Sequence, residues 1–190
     1  MTELSIEERI GRLLTPERRE RLDVHRILSL IPLRPYLTVA DIGCGPGLFA
    51  IPLAKSMWDG QVIAVDVDED MVEEVRRRAK EARLGNITAV KSEPDTLPLE
   101  PASLDGVLLV CVLHEVEDKE GFLKKVAETL RRGAWCAVIE WRADKQQDEG
   151  PPAGRRIDDA DLVRMGSDVG LRSTLRRELN DYHYMLVFNK

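Results

Sequence analysis

The segment VADIGCGPGLF, residues 39–49, constrains the fold of this chain more than any other part of its sequence. Three glycines at alternate positions, Gly43, Gly45 and Gly47, follow a short apolar run at residues 38–42. Because glycine accepts positive φ and has no side chain, this spacing predicts a strand that turns sharply into a helix beneath a ligand lying close to the backbone. That ligand could be a dinucleotide, a phosphate or another nucleoside.

Apolar strands and amphipathic helices alternate along the chain. Continuous apolar runs predict strands buried on both faces, and apolar residues three or four apart predict helices. The predicted strands are 38–42, 61–67, 87–92, 105–112, 134–141, 171–179 and 182–188, and the predicted helices are 5–31 with a break at Pro16, 48–56, about 72–82, about 122–130, and 158–169. This order predicts an α/β fold whose parallel sheet is covered by helices and ends in an antiparallel hairpin.

The composition is that of an ordinary globular protein and favours a small-molecule partner. Of 190 residues, 43% are hydrophobic and 33% are charged, which is enough to bury a full core. Lys and Arg number 28 against 34 Asp and Glu, and the resulting charge of −6 opposes a nucleic-acid-binding surface. No apolar run is long enough to cross a bilayer, and the N-terminus is too charged for a secretory signal, so we expect a cytoplasmic protein without a membrane partner.

The three cysteines lack the paired spacing of zinc ligands, so we predict no metal site and no disulfide. Cys44 and Cys111 fall near the predicted ligand, where a thiol-dependent transfer would place them. Buried cysteines are common, however, and packing is the simpler interpretation for both.

Leu48 and Asp66 distinguish between possible ligands. A dinucleotide site requires G-x-G-x-x-G, and Leu48 occupies the position of the third glycine. Asp66 ends the next strand nineteen residues after Gly47, where a carboxylate accepts hydrogen bonds from ribose hydroxyls. The carboxylate that would bind a ribose is therefore present, whereas the third glycine of a pyrophosphate-binding motif is not. This makes an NAD(P)-dependent reductase the weaker alternative.

Three motifs in this order resemble those of the class I S-adenosylmethionine-dependent methyltransferases, over about residues 38–141. VADIGCGPG is similar to their first motif, VIAVDVDEDM to their second, and LPLEPASLDGVLLVCVLHEVED to the loop and strand that follow their third. The resemblance, which is to small proteins like the type 11 methyltransferases, implies a three-layer Rossmann-like sandwich with seven strands in the order 3-2-1-4-5-7-6. It also implies one domain, 1–190, made of an N-terminal helical lid (1–37), a cofactor-binding core (38–141) and a C-terminal helix and hairpin (142–190).

The resemblance implies S-adenosyl-L-methionine as the cofactor and assigns residues to each part of it. The resemblance places the glycine turn around the methionine part of the cofactor and Asp66 at the ribose. It places Val67 and Asp68 beside the adenine. The implied cofactor-binding residues are Asp41, Gly43, Cys44, Gly45, Gly47, Asp66, Val67, Asp68, Met71, Ser92, Glu93, Pro94, Cys111 and Val112.

One position departs from the family pattern. An acid after the third strand commonly meets the adenine amino group, and the backbone N–H of its neighbour meets a ring nitrogen. Here the acid is Glu93 and the neighbour is Pro94, which has no N–H. Either the adenine makes fewer backbone hydrogen bonds or the register shifts to Asp95.

Candidates for acid–base chemistry follow the fourth and fifth strands. His114 is the candidate general base, needed only if the methyl acceptor must lose a proton. A pocket-shaping role is the alternative for His114. Glu140 is interpreted as a structural acid, and Trp141 either as a wall of the acceptor pocket or as packing.

The resemblance implies methyl transfer to a small-molecule acceptor by in-line displacement at the cofactor methyl. The alternative is a cofactor-binding regulatory or partner module without its own catalysis, because no unmistakable catalytic pair follows the fourth strand. We expect a monomer or a homodimer.

Overall fold

The structure, a computed structural model, describes residues 4–94, 96–145 and 149–190. Seven strands form a sheet in the order β3-β2-β1-β4-β5-β7-β6, which confirms the predicted Rossmann-like α/β fold and its strand order. The strands are β1 (Thr38–Ile42), β2 (Gln61–Asp66), β3 (Ile87–Lys91), β4 (Leu104–Val110), β5 (Leu130–Trp141), β6 (Arg172–Glu178) and β7 (His183–Asn189).

The helices flank these strands in the predicted sequence order. They are α1 (Ile6–Leu13), α2 (Pro16–Arg21), α3 (Val24–Ser29), α4 (Ala50–Ser56), α5 (Glu69–Glu81), α6 (Lys119–Thr129) and α7 (Asp159–Asp168), with a short 3₁₀ helix at Ala153–Arg155. The chain divides into two compact units, Met1–Ser92 and Glu93–Lys190. The predicted subdivision into 1–37, 38–141 and 142–190 stays a prediction.

The N-terminal segment is three short helices, each started by a polar cap. Ser5 caps α1 in a capping box with Glu8, Thr15 caps α2, and Asp23 caps α3 by accepting a hydrogen bond from the Arg26 backbone N–H at 3.0 Å. The break expected at Pro16 is present, and the cap at Asp23 makes a second one.

In the first unit, β1 pairs with β2 and β2 with β3, all in parallel. The amphipathic α5 buries Met71, Val72, Val75 and Ala79. The helix predicted to begin at residue 48 begins at Ala50 instead, because the Gly47 backbone N–H closes a turn onto the Cys44 carbonyl at 3.0 Å.

In the second unit, β4 and β5 are parallel, and β7 runs antiparallel between β5 and β6. β5 begins at Leu130 rather than at the predicted residue 134, since Leu130 pairs with Leu104 of β4. β4 ends at Val110 because Cys111 has a φ of 57°, which a strand cannot continue through. None of the helices in the described ranges is long and apolar enough to span a bilayer.

Candidate functional site

The glycine turn is fastened to the end of β2 by its own backbone. The backbone N–H groups of Gly43 and Cys44 both donate to the Val65 carbonyl, at 2.7 and 3.0 Å. Gly43, Gly45 and Gly47 have φ values of 71°, 51° and 82°, so each occupies the left-handed region that favours glycine. The predicted strand–turn–helix geometry is present.

Gly47 is needed for packing as well as for the turn. A Cβ atom at this position would lie 3.1 Å from Val75 of α5 and 3.3 Å from Ile51 of α4. Arg78 of α5 also donates to the carbonyl oxygen of Pro46. The turn is thus held from the α5 side by contacts that the sequence pattern did not reveal.

Asp66 lies at the centre of the turn's hydrogen-bond network. One carboxylate oxygen accepts from the Gly45 backbone N–H at 2.7 Å and the other from the Asp68 backbone N–H at 3.0 Å. Burial raises the pKa of Asp66, and these two hydrogen bonds oppose that shift. A carboxylate held in this way presents its remaining lone pairs in a fixed direction, as a ribose ligand would require.

Asp41 is an acid buried behind the turn, with 2% of its surface exposed. Its carboxylate accepts from the Ala50 backbone N–H, while Oδ2 has no hydrogen-bond partner in the described ranges. Burial, with a contribution from the charge of Asp66, raises the pKa of Asp41 to about 7. A buried acceptor without a donor is costly, so this oxygen fits a ligand that brings a donor, such as the ammonium of a methionine group.

Helix α1 lies against the same turn. Leu13 Cδ1 is 3.6 Å from the place where Gly45 would carry a Cβ atom. Arg9 pairs with Asp68 and Asp70 at the start of α5, next to the residues assigned to the adenine. Among the residues predicted to bind the cofactor, Val67 is 52% exposed and Met71 is buried.

The remaining residues assigned to the cofactor differ in exposure. Ser92 is buried, and its backbone N–H donates to the Asp66 carbonyl at 2.9 Å, whereas Glu93 and Pro94 are exposed. Asp95, the alternative adenine ligand, lies outside the described residues. In the second unit Cys111 donates through its backbone N–H to the Ile139 carbonyl at 2.8 Å, and Val112 follows it, partly buried.

His114 and Glu140 form a hydrogen-bonded pair in the second unit. His114 Nδ1 lies 2.8 Å from Glu140 Oε2, and the exposed fractions of the two side chains are 8% and 0%. Both residues were candidates from the sequence, but nothing in their spacing, 26 positions apart, indicated that they touch. They meet because each follows or ends one of the two parallel strands β4 and β5.

The second unit also contains a cavity of about 110 Å³, which is lined by more acids than bases. Tyr184, which pairs with Glu140 across β5 and β7, lines it together with the charged residues Arg142, Asp144, Asp158, Asp159, Arg176 and Glu178. Trp141 packs instead against His183, with ring centroids 4.4 Å apart. The packing interpretation of Trp141 thus has a direct contact behind it.

Two of the three thiols are buried and held in their protonated form. Burial raises the pKa of Cys136 to about 12 and raises that of Cys44 as well, so both are poor sources of thiolate. Within the described ranges no cluster of three His, Cys, Asp or Glu side chains could hold a metal ion.

Residues 39–133, half of the chain, match the family described as a methyltransferase domain. The chain belongs to this methyltransferase family. A solved S-adenosylmethionine-dependent methyltransferase from Aquifex aeolicus is similar over 98% of both chains, with 26% sequence identity and a TM-score of 0.88. The family and this structure imply S-adenosyl-L-methionine as the cofactor of the methyltransferase, as predicted.

Curated relatives are similar over part of the methyltransferase. Trans-aconitate 2-methyltransferase from Mycolicibacterium gilvum is 34% identical over 112 residues, which is 58% of this chain and 40% of that protein. The enzyme of the same name from Rhodococcus jostii is 31% identical over 114 residues, 60% of this chain and 42% of that one. The chain therefore spans about two fifths of the length of these relatives. The [4+2]-cyclase SpnF shares the fold, with 15% identity and a TM-score of 0.77.

Proposed function

We propose that this methyltransferase transfers the methyl group of S-adenosylmethionine to a small-molecule acceptor. The observation that carries the proposal is the glycine turn with its two acids: Asp66 hydrogen-bonded into the turn, and Asp41 buried with one unpartnered oxygen. The family match favours methyl transfer over the NAD(P)-dependent reductase considered from the sequence.

The first unit supplies groups suited to each end of the cofactor. Asp41 and the backbone of Gly43–Gly47 would hold the methionine part, and Asp66 would accept hydrogen bonds from the ribose hydroxyls. Val67, Asp68 and Met71 would border the adenine. The cofactor supplies an activated methyl group on a sulfonium, so the chain's task is to orient a nucleophile and to exclude water.

The small size of the acceptor is supported by charge and by relatives. A net charge of −6 gives the chain little affinity for a polyanionic nucleic acid. The similar curated enzymes are named for a small acceptor, trans-aconitate. In the second unit, His114 is the group that could accept a proton from such an acceptor.

Ligand-induced stabilisation, followed by transfer of an isotopically labelled methyl group, tests the proposal. We expect S-adenosylmethionine and its demethylated product to stabilise the protein by about 2.7 kcal/mol at 100 times the dissociation constant. NAD and NADP should give no shift. A shift with the dinucleotides alone would overturn the cofactor assignment, and binding without labelled transfer to any small molecule would favour the binding-only module.

A further inference from the structure

Two β-turns lie side by side in the first unit, directly before β1 and β2. The first covers residues 34–37 and the second covers residues 57–60. In each turn the backbone N–H of the fourth residue donates to the carbonyl of the first, at 3.3 and 2.9 Å. The glycine turn follows the other end of β1, so these two turns lie at the opposite end of that strand from the predicted cofactor site.

Backbone contacts fix the two turns to each other. The Asp59 backbone N–H donates to the Pro35 carbonyl at 3.1 Å, and the Gln61 N–H donates to the Leu37 carbonyl at 2.9 Å. A Cβ atom at Gly60 would lie 2.3 Å from the Leu37 carbonyl oxygen, so a side chain at this position would force the turns apart. The two turns therefore form one rigid surface.

Each turn exposes one aromatic side chain. Tyr36 is 64% exposed and Trp58 is 75% exposed, and neither ring packs against another ring within the described residues. Turn formation explains Pro35 in the second position and Gly60 in the fourth, but it does not require an aromatic residue in either turn. The two rings thus leave a large apolar area in water that local structure does not explain. We call residues 34–37 and 57–60 the aromatic turns.

The aromatic turns also carry opposite charges. Arg34 is exposed in the first turn and Asp59 is exposed in the second, and neither has an ion-pair partner within the part of the chain that the structure describes. A surface with one charge of each sign is complementary to itself under a two-fold rotation, because the positive turn of one copy then faces the negative turn of the other. A polyanion or an anionic lipid surface would instead face the carboxylate of Asp59.

We propose that the aromatic turns are the interface of a symmetric, reversible homodimer of this chain. Tyr36 of one copy packs on Trp58 of the other, and Arg34 of one copy pairs with Asp59 of the other. This inference goes beyond the proposed function and does not depend on it. The predicted cofactor site of each copy faces away from the interface, because it lies at the other end of β1.

The size of the interface predicts a weak dimer. An aromatic side chain buries about 150–250 Å² when it is fully covered, so the four partly exposed rings of a dimer would bury on the order of 500 Å². The charged and polar residues around them raise this area to about 1,000 Å², which is at the lower end for specific interfaces. We therefore expect a dissociation constant on the order of 10 µM.

Sedimentation velocity over about 1–200 µM protein tests the dimer directly, because this range spans the expected dissociation constant. We expect monomer at the lowest concentration and dimer at the highest. Tyr36→Ser and Trp58→Ser should each weaken association at least about tenfold, since buried aromatic residues dominate such interfaces. Ile6→Ser is the matched control. It removes another exposed apolar side chain from the first unit, 48% exposed on α1, and should leave association unchanged.

A charge exchange tests the two-fold arrangement. Arg34→Glu and Asp59→Arg should each weaken association about 3–10-fold, because each places like charges opposite one another. The two substitutions in one chain restore opposite charges across the axis, so the double variant should associate to within about twofold of the unaltered protein. A double variant as weak as the sum of the single variants would contradict the pairing of Arg34 with Asp59.

Fluorescence quenching locates the interface in the unaltered protein. Trp135 and Trp141 are 3% and 7% exposed, so quenching by acrylamide reports mainly on Trp58. We expect this quenching to decrease as the protein concentration rises, and Tyr36→Ser to remove that dependence at concentrations where the variant is monomeric.

Three outcomes would overturn the proposal. The first is a monomer at every concentration. The second is a dimer that neither Tyr36→Ser nor Trp58→Ser weakens, because its interface would lie elsewhere. The third is a monomer that sediments with phosphatidylserine vesicles through Trp58, which would assign the aromatic turns to a lipid surface. Thermal unfolding of each variant establishes that it is folded.

Discussion

Asp66 joins the glycine turn to the second strand, and its replacement is the sharpest test of the cofactor site. Asp66→Ala removes the acceptor of the Gly45 and Asp68 backbone N–H groups and the predicted ribose ligand. We expect S-adenosylmethionine to bind at least tenfold more weakly, a loss of about 1.4 kcal/mol, measured by calorimetry. Asp59→Ala, an exposed acid before β2, is the control. An unchanged dissociation constant would contradict the ribose assignment.

Asp41 gives the stability of the protein a predictable dependence on pH. Its pKa is about 7 in the folded protein and about 3.9 in an unfolded chain, so the folded state holds the proton more tightly. The stabilisation of the folded state that comes from the tighter proton binding of Asp41 is therefore complete below about pH 4, and it declines as the pH rises through 7. The asparagine of Asp41→Asn does not titrate. The free energy of unfolding of this variant, relative to that of the unaltered protein, should therefore rise by up to about 4 kcal/mol between pH 4 and pH 8.

Chemical denaturation of both proteins at the two pH values measures that shift. The raised pKa of Asp66 is common to both proteins and leaves the difference unaffected to first order. A difference that is the same at pH 4 and pH 8 would contradict the raised pKa of Asp41.

Single residues could be predicted from the sequence wherever local backbone chemistry required them. The positive φ of Gly43 and Gly45 follows from the residue type and spacing, and so does the position of Asp66 at the end of a strand. The contact between His114 and Glu140 could not be predicted, because it depends on the register between β4 and β5. The pairing of Arg9 with Asp68 depends likewise on how helices pack.

At the scale of elements, the packing of β4 against β5 depends on one missing side chain. Gly106 pairs with Trp135, and a Cβ atom at Gly106 would lie 2.2 Å from the indole ring. Gly106→Ala should lower the free energy of unfolding by about 1–3 kcal/mol through overpacking. Gly85→Ala, where a Cβ atom meets nothing within 4 Å, is the control in the same denaturation experiment. Equal stabilities for the two variants would contradict this packing.

Helix α1 is predicted to act as a lid over the cofactor. We expect S-adenosylmethionine to slow cleavage at Leu13 and Leu14 by a protease that cuts after leucine, and Arg9→Ala to lose much of that protection because its pairs with Asp68 and Asp70 are gone. Arg12→Ala, exposed on the same helix, should behave like the unaltered protein. An equal rate of cleavage with and without the cofactor would contradict the prediction that α1 is a lid.

The order and type of the elements were predictable from periodicity, whereas several boundaries were not. The strands β2, β3, β6 and β7 each begin and end within one residue of their predicted positions. The boundaries of β4, β5 and α4 differ from the predicted ones because long-range pairing or a turn determines them. Leu130 pairs with Leu104, and Cys111 has a positive φ. Local pattern does not contain such information.

At the scale of the whole molecule, net charge restricts the class of partner. With 34 acids against 28 bases, we expect no binding to duplex DNA or RNA tighter than about 10⁻⁴ M at physiological salt. Fluorescence anisotropy with a labelled duplex measures this. Micromolar binding that weakens steeply with added salt would point to a nucleic-acid acceptor and contradict the small-molecule assignment.

The place of β7 between β5 and β6 has a consequence for biosynthesis. β6 leaves the ribosome before β7, the strand with which it pairs. Residues 172–178 therefore stay without this partner strand until residues 183–189 have been synthesised. Four exposed charged residues of β6, Arg172, Arg176, Arg177 and Glu178, disfavour pairing of this edge with a neighbouring nascent chain.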